Sequence, residues 1–240
     1  MNARRVTIDL NADLGEGFPN DARLLDLVTS ASVACGAHAG DRATILDTIA
    51  AARDRRVAVG AHPGFPDREG FGRRERRASA VEVERLVSEQ VENLTSLAAE
   101  TGTVLVFLKP HGALYNQAQR DPEMARGVAA AARAFRLPVL GQPGGVLESA
   151  AESVGLTFVT EGFPERRYEP DGRLAPRGSP GAVLDDPARV QAQAVRLVGL
   201  GLSTLCIHGD DPRAVDNALV VRAALERHGI VPRFWNDPTG

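Results

Sequence analysis

Carboxylates, imidazoles and one ammonium recur in this sequence at spacings that suit acid–base or metal chemistry. In DLNADLGEGF (residues 9–18), Asp9, Asn11 and Asp13 alternate, so on a strand they share one face, and Glu16 follows in the next turn. Three carboxylates and an amide within eight residues make a poor ordinary buried strand. CGAHAGD, GAHPGF, KPHG and CIHGDD place His38, His62, His111 and His208, with Asp210, just beyond short apolar runs. Glu161 in TEGF and Gln142 in GQPGG sit in similar positions. The remaining histidine, His228, precedes Gly229 and reads as a helix-terminal residue facing the helix dipole.

Lys109, in LKPHGALYN, is the only lysine; Lys and Arg total 28, so 28 − 1 leaves 27 arginines. Arginine favours planar, bidentate partners, whereas lysine is a compact point charge whose pKa moves on desolvation. Its tasks here are to hold a phosphoryl group, polarise a carbonyl or transfer a proton. The apolar VLVF before it and the proline after it argue against a freely exposed side chain.

These groups need a scaffold that gathers them. Strand-like runs are RVTIDLN (5–11), SASVACG (30–36), VAVGAHP (57–63), TVLVFLKPHG (103–112), PVLGQP (138–143), TFVTEGF (157–163) and STLCIHGD (203–210). With the first strand ending near Asn11, Asp13 and Glu16 are released into the following loop. Between the strands lie helical signals. Ser79 and Glu82 form a capping box ahead of Val83, Leu86, Val87, Leu94 and Leu97, and residues 43–54 are amphipathic. Asp121-Pro122, Asp186-Pro187 and Asp211-Pro212 read as N-caps followed by proline, and Gly155 and Gly229 as C-terminal caps. The alternation predicts an α/β fold with a parallel sheet. Polar strand ends favour a β/α barrel, whose C-terminal mouth collects these side chains into an enzyme-like site. The glycine-, proline- and arginine-rich segments 63–78 and 162–185 both follow strand ends and read as lid or partner-docking elements.

Composition excludes several function classes. A net charge of −3 and pI near 6.0 give no basic field for nucleic acid or anionic membrane. No apolar run approaches the ~20 residues of a membrane span. MNARRVTIDLNADLG lacks a signal peptide's apolar core and cleavage site, so a cytoplasmic protein is expected. Cys35 and Cys206 form no disulfide framework and read as small core residues. No dinucleotide fingerprint, phosphate loop, internal repeat or domain linker is visible, and residues 1–240 read as one domain.

In order, DLNADLGEGF, SVACGAHAGD, VGAHPGFPDREGFGRR, LKPHGALYN, EGFPERRYEPDGRLAPR and IHGDDPRAV resemble the LamB/YcsF (lactam-utilisation) family from about residue 5 to 237. The resemblance implies a seven-stranded β/α barrel like those of glycoside hydrolases and polysaccharide deacetylases. It implies a cytoplasmic ATP-dependent 5-oxoprolinase in which this chain is the A subunit beside the B and C subunits. That enzyme opens 5-oxoproline to glutamate with ATP, accompanied by Mg²⁺, as co-substrate. For that chemistry Lys109, His111, Asp13 and Glu16 are the catalytic candidates. Asp9, Asn11, Glu161, His208 and Asp210 are the substrate-binding candidates. Arg73, Arg74, Arg166 and Arg167 are candidates to clamp an anion. By analogy with barrel deacetylases, Asp13, His38 and His62 form a candidate metal site. The alternatives are a stand-alone metal-dependent amidase or deacetylase, and a non-catalytic binding subunit.

Overall fold

The computed structural model describes residues 6–237. Arg5, the expected start of the first strand, and most of the basic N-terminal run fall outside them. Strands β1 (Thr7–Leu14), β2 (Ser30–Ala34), β3 (Ala58–His62), β4 (Leu105–Leu108), β5 (Val139–Gly141), β6 (Phe158–Gly162) and β7 (Thr204–His208) pair in sequence order, all parallel. The ring closes because β1 pairs with both β2 and β7, so a seven-stranded barrel forms. An unanticipated eighth strand, β8 (Val231–Pro232), adds to β1 at Thr7 and Ile8.

Around the barrel run α1 (Asp21–Leu25), α2 (Arg42–Asp54), α3 (Ala80–Glu100), α4 (Gly112–Ala118), α5 (Pro122–Ala134), α6 (Val146–Ser153), α7 (Pro187–Gly199) and α8 (Ala214–Arg227). The capping box of Ser79 and Glu82 forms, and α3 buries Val83, Val87, Val91, Leu94 and Leu97 on one stripe. Asp121 and Asp186 cap α5 and α7 ahead of their prolines. Asp211 does not cap α8. Its carboxylate accepts from the Arg213 N–H at 2.8 Å in a preceding turn, and α8 starts only at Ala214. Gly155 and Gly229 follow α6 and α8 with φ of 75° and 68°, as C-terminal caps require.

The first strand continues to Leu14 rather than ending near Asn11, because Asp13 and Leu14 keep pairing with Ser32 and Val33. Asp9, Asn11 and Asp13 therefore all project from one face of one buried strand. At the strands' N-terminal end, Phe107, Leu140 and Val159 pack with Phe234 and Trp235 to close the barrel floor. Gly60 makes room for this layer: a Cβ there would lie 2.2 Å from the Phe107 ring. The mouth at the other end is walled by residues 63–78 and 163–186. The second wall is ordered by antiparallel bridges Arg166–Val183 and Tyr168–Leu174. Among the described residues, no helix is long and apolar enough to cross a membrane.

Candidate active site

Hydrogen bonds on the inward face of β1 rise through three residues. Asp9 accepts from the hydroxyls of Thr204 (2.5 Å), Thr29 (2.6 Å) and Ser30 (2.9 Å). Burial lifts its pKa to about 6 despite those donors. Asn11 donates from Nδ2 to Glu161 Oε1 (3.0 Å) and Thr204 Oγ1 (2.8 Å), and accepts from Lys109 at 3.2 Å. Asp13 reaches the mouth.

Lys109 leaves the end of β4 and is 2% exposed. Its Nζ lies 2.8 Å from Asp13 Oδ1, 2.7 Å from Glu161 Oε1, 3.2 Å from Asn11 Oδ1 and 2.9 Å from Cys206 Sγ. Three ammonium protons thus serve four neighbours, spread in directions that a planar guanidinium does not match. Burial alone would lower the Lys109 pKa, but the Asp13 and Glu161 carboxylates outweigh it and hold the ammonium charged. Burial would likewise raise the Asp13 carboxyl; His62 and then Lys109 overcome this and keep it well below the ordinary carboxylate range. Burial, then the Asp13 charge, keeps the Cys206 thiol protonated.

A histidine cluster flanks Asp13. His62 Nδ1 donates to the Lys109 carbonyl (2.8 Å), and His111 Nε2 donates to the Phe71 carbonyl (2.8 Å). The remaining nitrogens, His62 Nε2 and His111 Nδ1, face each other at 3.0 Å. Two bare lone pairs do not sustain that contact, so the pair takes up one proton or a cation. Carboxylates crowd the same point: Asp13 Oδ2 is 3.4 Å from His62 Nε2, and Glu16 Oε1 is 3.4 Å from His111 Nδ1. His38 stacks on His111 with centroids 3.8 Å apart, and its Nε2 meets Glu16 Oε1 at 3.2 Å. Burial pulls the His38 pKa down to about 3, and burial followed by Asp13 raises that of Glu16. Gly72, at φ 63°, permits this packing, since a Cβ there would lie 2.9 Å from His38 Cβ and 3.0 Å from His111 Cδ2.

Above these groups opens a cavity of about 330 Å³, lined among others by Asp13, Lys109, His111, Tyr115, Phe163 and His208. Of the sequence candidates, Asp13, Glu16, His62, Lys109, His111, His208 and Asp210 reach its wall; Asp9, Asn11, Glu161 and His38 lie outside it. The donor atoms that converge as a metal trio are those of Glu16, His62 and His111; those of Asp13, Cys206 and His208 also lie near one another, but there the Lys109 ammonium already serves Asp13 and Cys206 as their cation. His38, expected with Asp13 and His62, turns to Glu16 instead. Gln142 lines the cavity too.

The four arginines expected as clamps separate. Arg73 and the unanticipated Arg177 both bond Asp210 Oδ2, Arg177 at 3.3 Å, and so join the two long loops across the mouth. Arg74 pairs with Asp67 (3.2 Å) and Arg167 with Glu169 (3.2 Å). Arg166 is buried and donates to the carbonyls of Ala175 (2.7 Å) and Ala182 (3.3 Å). Glu165 was also missed; it is 1% exposed and holds His208 Nδ1 at 2.6 Å. Cys206 carried a readable signal, since it stands two residues before His208 on one strand face.

Similarity over the whole chain names the family. The LamB/YcsF family model matches residues 8–237. The chain belongs to the LamB/YcsF family. This LamB/YcsF chain is 46% identical to the A subunit of 5-oxoprolinase from Methylococcus capsulatus, covering 93% of this chain and 94% of that one. It superposes on the crystal structure of a lactam utilization protein from Thermus thermophilus with TM-score 0.88 and 43% identity, over 95% of this chain and 99% of that one. A polysaccharide deacetylase from Bacillus cereus matches at TM-score 0.55 and 11% identity, over 99% and 95% of the two chains, a likeness of fold alone.

Proposed function

We propose that this chain is the A subunit of an ATP-dependent 5-oxoprolinase, which hydrolyses 5-oxoproline to L-glutamate with conversion of ATP to ADP and phosphate. The observation that carries this reading is the end-to-end match, at 46% identity, to a protein named as the A subunit of 5-oxoprolinase. The site's chemistry agrees with it. An unstrained lactam resists water because amide resonance must be broken and nitrogen leaves poorly. A mouth with fixed charges and histidines addresses both difficulties. The B and C subunits complete the enzyme in the cytoplasm, and Mg²⁺ accompanies ATP.

Lys109 keeps Asp13 ionised and fixed, with Asn11, Glu161 and Asp9 as its buried support. Its protons are already committed, so it acts on the reaction through Asp13 more than by reaching a carbonyl or phosphoryl oxygen. Glu16, His62 and His111 fit a divalent cation, because each histidine's other nitrogen donates to a carbonyl and burial disfavours a proton on His111. Such a cation would polarise a carbonyl or a bound water. Arg73 and Arg177, joined through Asp210, bridge the two loops at the mouth and offer guanidinium charge to the carboxylate of 5-oxoproline.

The test is glutamate release from 5-oxoproline, with and without ATP, by the chain alone and with both partner subunits. ATP-dependent release by the complete set, lost when this chain is omitted, is expected. Partners that release glutamate equally well without this chain would overturn the reading. The facing histidine nitrogens favour one competitor, a metal-dependent amidase, for which the chain alone opens the lactam without ATP.

A further inference from the structure

Among the histidines at the mouth, His208 has the nitrogen that is free to act. The inner nitrogens of His62 and His111 face each other, and their outer ones bond carbonyls. His38 stays outside the cavity with Nε2 on Glu16. His208 lines the cavity, and its side chain is 13% exposed. Among the described residues its Nε2 makes no hydrogen bond, while its Nδ1 is held. Glu165 Oε1 sits 2.6 Å from that Nδ1 and also accepts the His208 backbone N–H at 3.0 Å. Asn217 of α8 donates to Glu165 Oε2 at 3.3 Å, and the Phe163 ring stacks on the imidazole with centroids 5.3 Å apart. The His208 backbone N–H and Asn217 already donate to this one buried carboxyl group, which leaves Nδ1 facing its Oε1 and fixes the ring's orientation.

We infer that Glu165 and His208 form a positioned dyad, with Glu165 holding the proton on Nδ1 so that Nε2 presents a lone pair to the cavity. Resting on the lactam-hydrolysis reading, His208 Nε2 takes a proton from water as the water oxygen bonds the carbonyl carbon and the C=O π pair moves onto the carbonyl oxygen. When that pair re-forms the C=O bond, the C–N bond breaks, its electron pair goes to the lactam nitrogen, and the same proton passes from Nε2 to that nitrogen. Glu165 touches no substrate; it is a positioning residue that faces the transient imidazolium with a carboxylate. Its place two residues beyond Phe163, on the loop after β6, gives it no pattern visible in sequence.

Two measurements test the dyad. Long-range ¹H–¹⁵N spectra of the full-length ¹⁵N-histidine-labelled chain, with His208 assigned by its loss in His208→Gln, report the tautomer without any reaction. Nδ1–H is expected; an Nε2–H ring overturns the inference. In the complete subunit set, Glu165→Gln is expected to lower kcat at least about a hundredfold with KM within about threefold. Glu165→Asp should recover part of that loss, and the Glu165→Gln/His208→Gln double variant should be no slower than the slower single. A purely structural Glu165 would instead leave kcat per folded molecule within about threefold, or give multiplying losses, and either overturns the dyad. If the wild-type set releases no glutamate, the lactam reading fails, while the tautomer spectrum still decides the dyad.

Discussion

Lys109 shows why one lysine stands among 27 arginines. A compact ammonium sits within hydrogen-bond reach of Asp13, Glu161, Asn11 and Cys206 at once, whereas a guanidinium spreads its donors in a plane. Lys109→Ala leaves two buried carboxylates uncompensated and is expected to cost about 3–5 kcal/mol in denaturant unfolding. Lys109→Arg is expected to lower kcat of the complete set by about a hundredfold or more. A near-normal rate would show that charge alone suffices there. Asp9 is a different kind of buried charge. Its folded pKa of about 6 lies above its reference of 3.8, so the folded state holds the proton more tightly than the unfolded chain. Its contribution is therefore most favourable below about pH 4, is lost as pH rises toward 6, and stays lost above. Unfolding free energies across pH 3–7 should show wild type losing about 3 kcal/mol relative to Asp9→Asn over that window.

Local patterning made much of the scaffold legible. The period-2 polar face of β1, the Ser79–Glu82 capping box and the Asp-Pro caps of α5 and α7 depend on residues within a few positions of each other. Strand ends were less legible: β1 runs on to Leu14 because β2 supplies partners that no local rule contains. Asp211-Pro212 has the same motif as the other two caps, yet a turn intervenes before α8. The floor was invisible for the same reason, since Phe234 and Trp235 meet Phe107 only once the barrel closes. Trp235→Ala is expected to lower stability by about 2–4 kcal/mol while leaving activity per folded molecule intact, read by thermal melts beside the glutamate assay. Lost activity at full stability would tie the floor to the mouth.

The assembled molecule joins groups far apart in sequence into one charge system. Glu16, His62 and His111 come from three strand-end segments and converge on a point suited to a divalent cation. The chain purified without chelator is expected to bind close to one equivalent of divalent metal by elemental analysis, and His111→Ala to abolish that binding. Full metal content in His111→Ala would move the cation elsewhere. The Arg73–Asp210–Arg177 bridge links the two long loops, so their arrangement is a property of the assembled mouth rather than of either segment.

Residue types and their periodicity alone determined the parallel β/α alternation and the strand-end positions of Lys109, His62, His111 and His208, and the ordered motifs carried the likeness to lactam-utilisation proteins. These follow from local sterics and from the order of motifs along the chain. Only the tertiary structure decided which nitrogen of each histidine is occupied, that Lys109 spends its protons on buried neighbours, and that Glu165 stands behind His208. Those facts depend on distances between strands whose residues lie tens to almost two hundred positions apart, as Asp9 and Thr204 do at 195. Hydrogen-bond direction is set by the neighbour's geometry, and barrel closure supplies the neighbour.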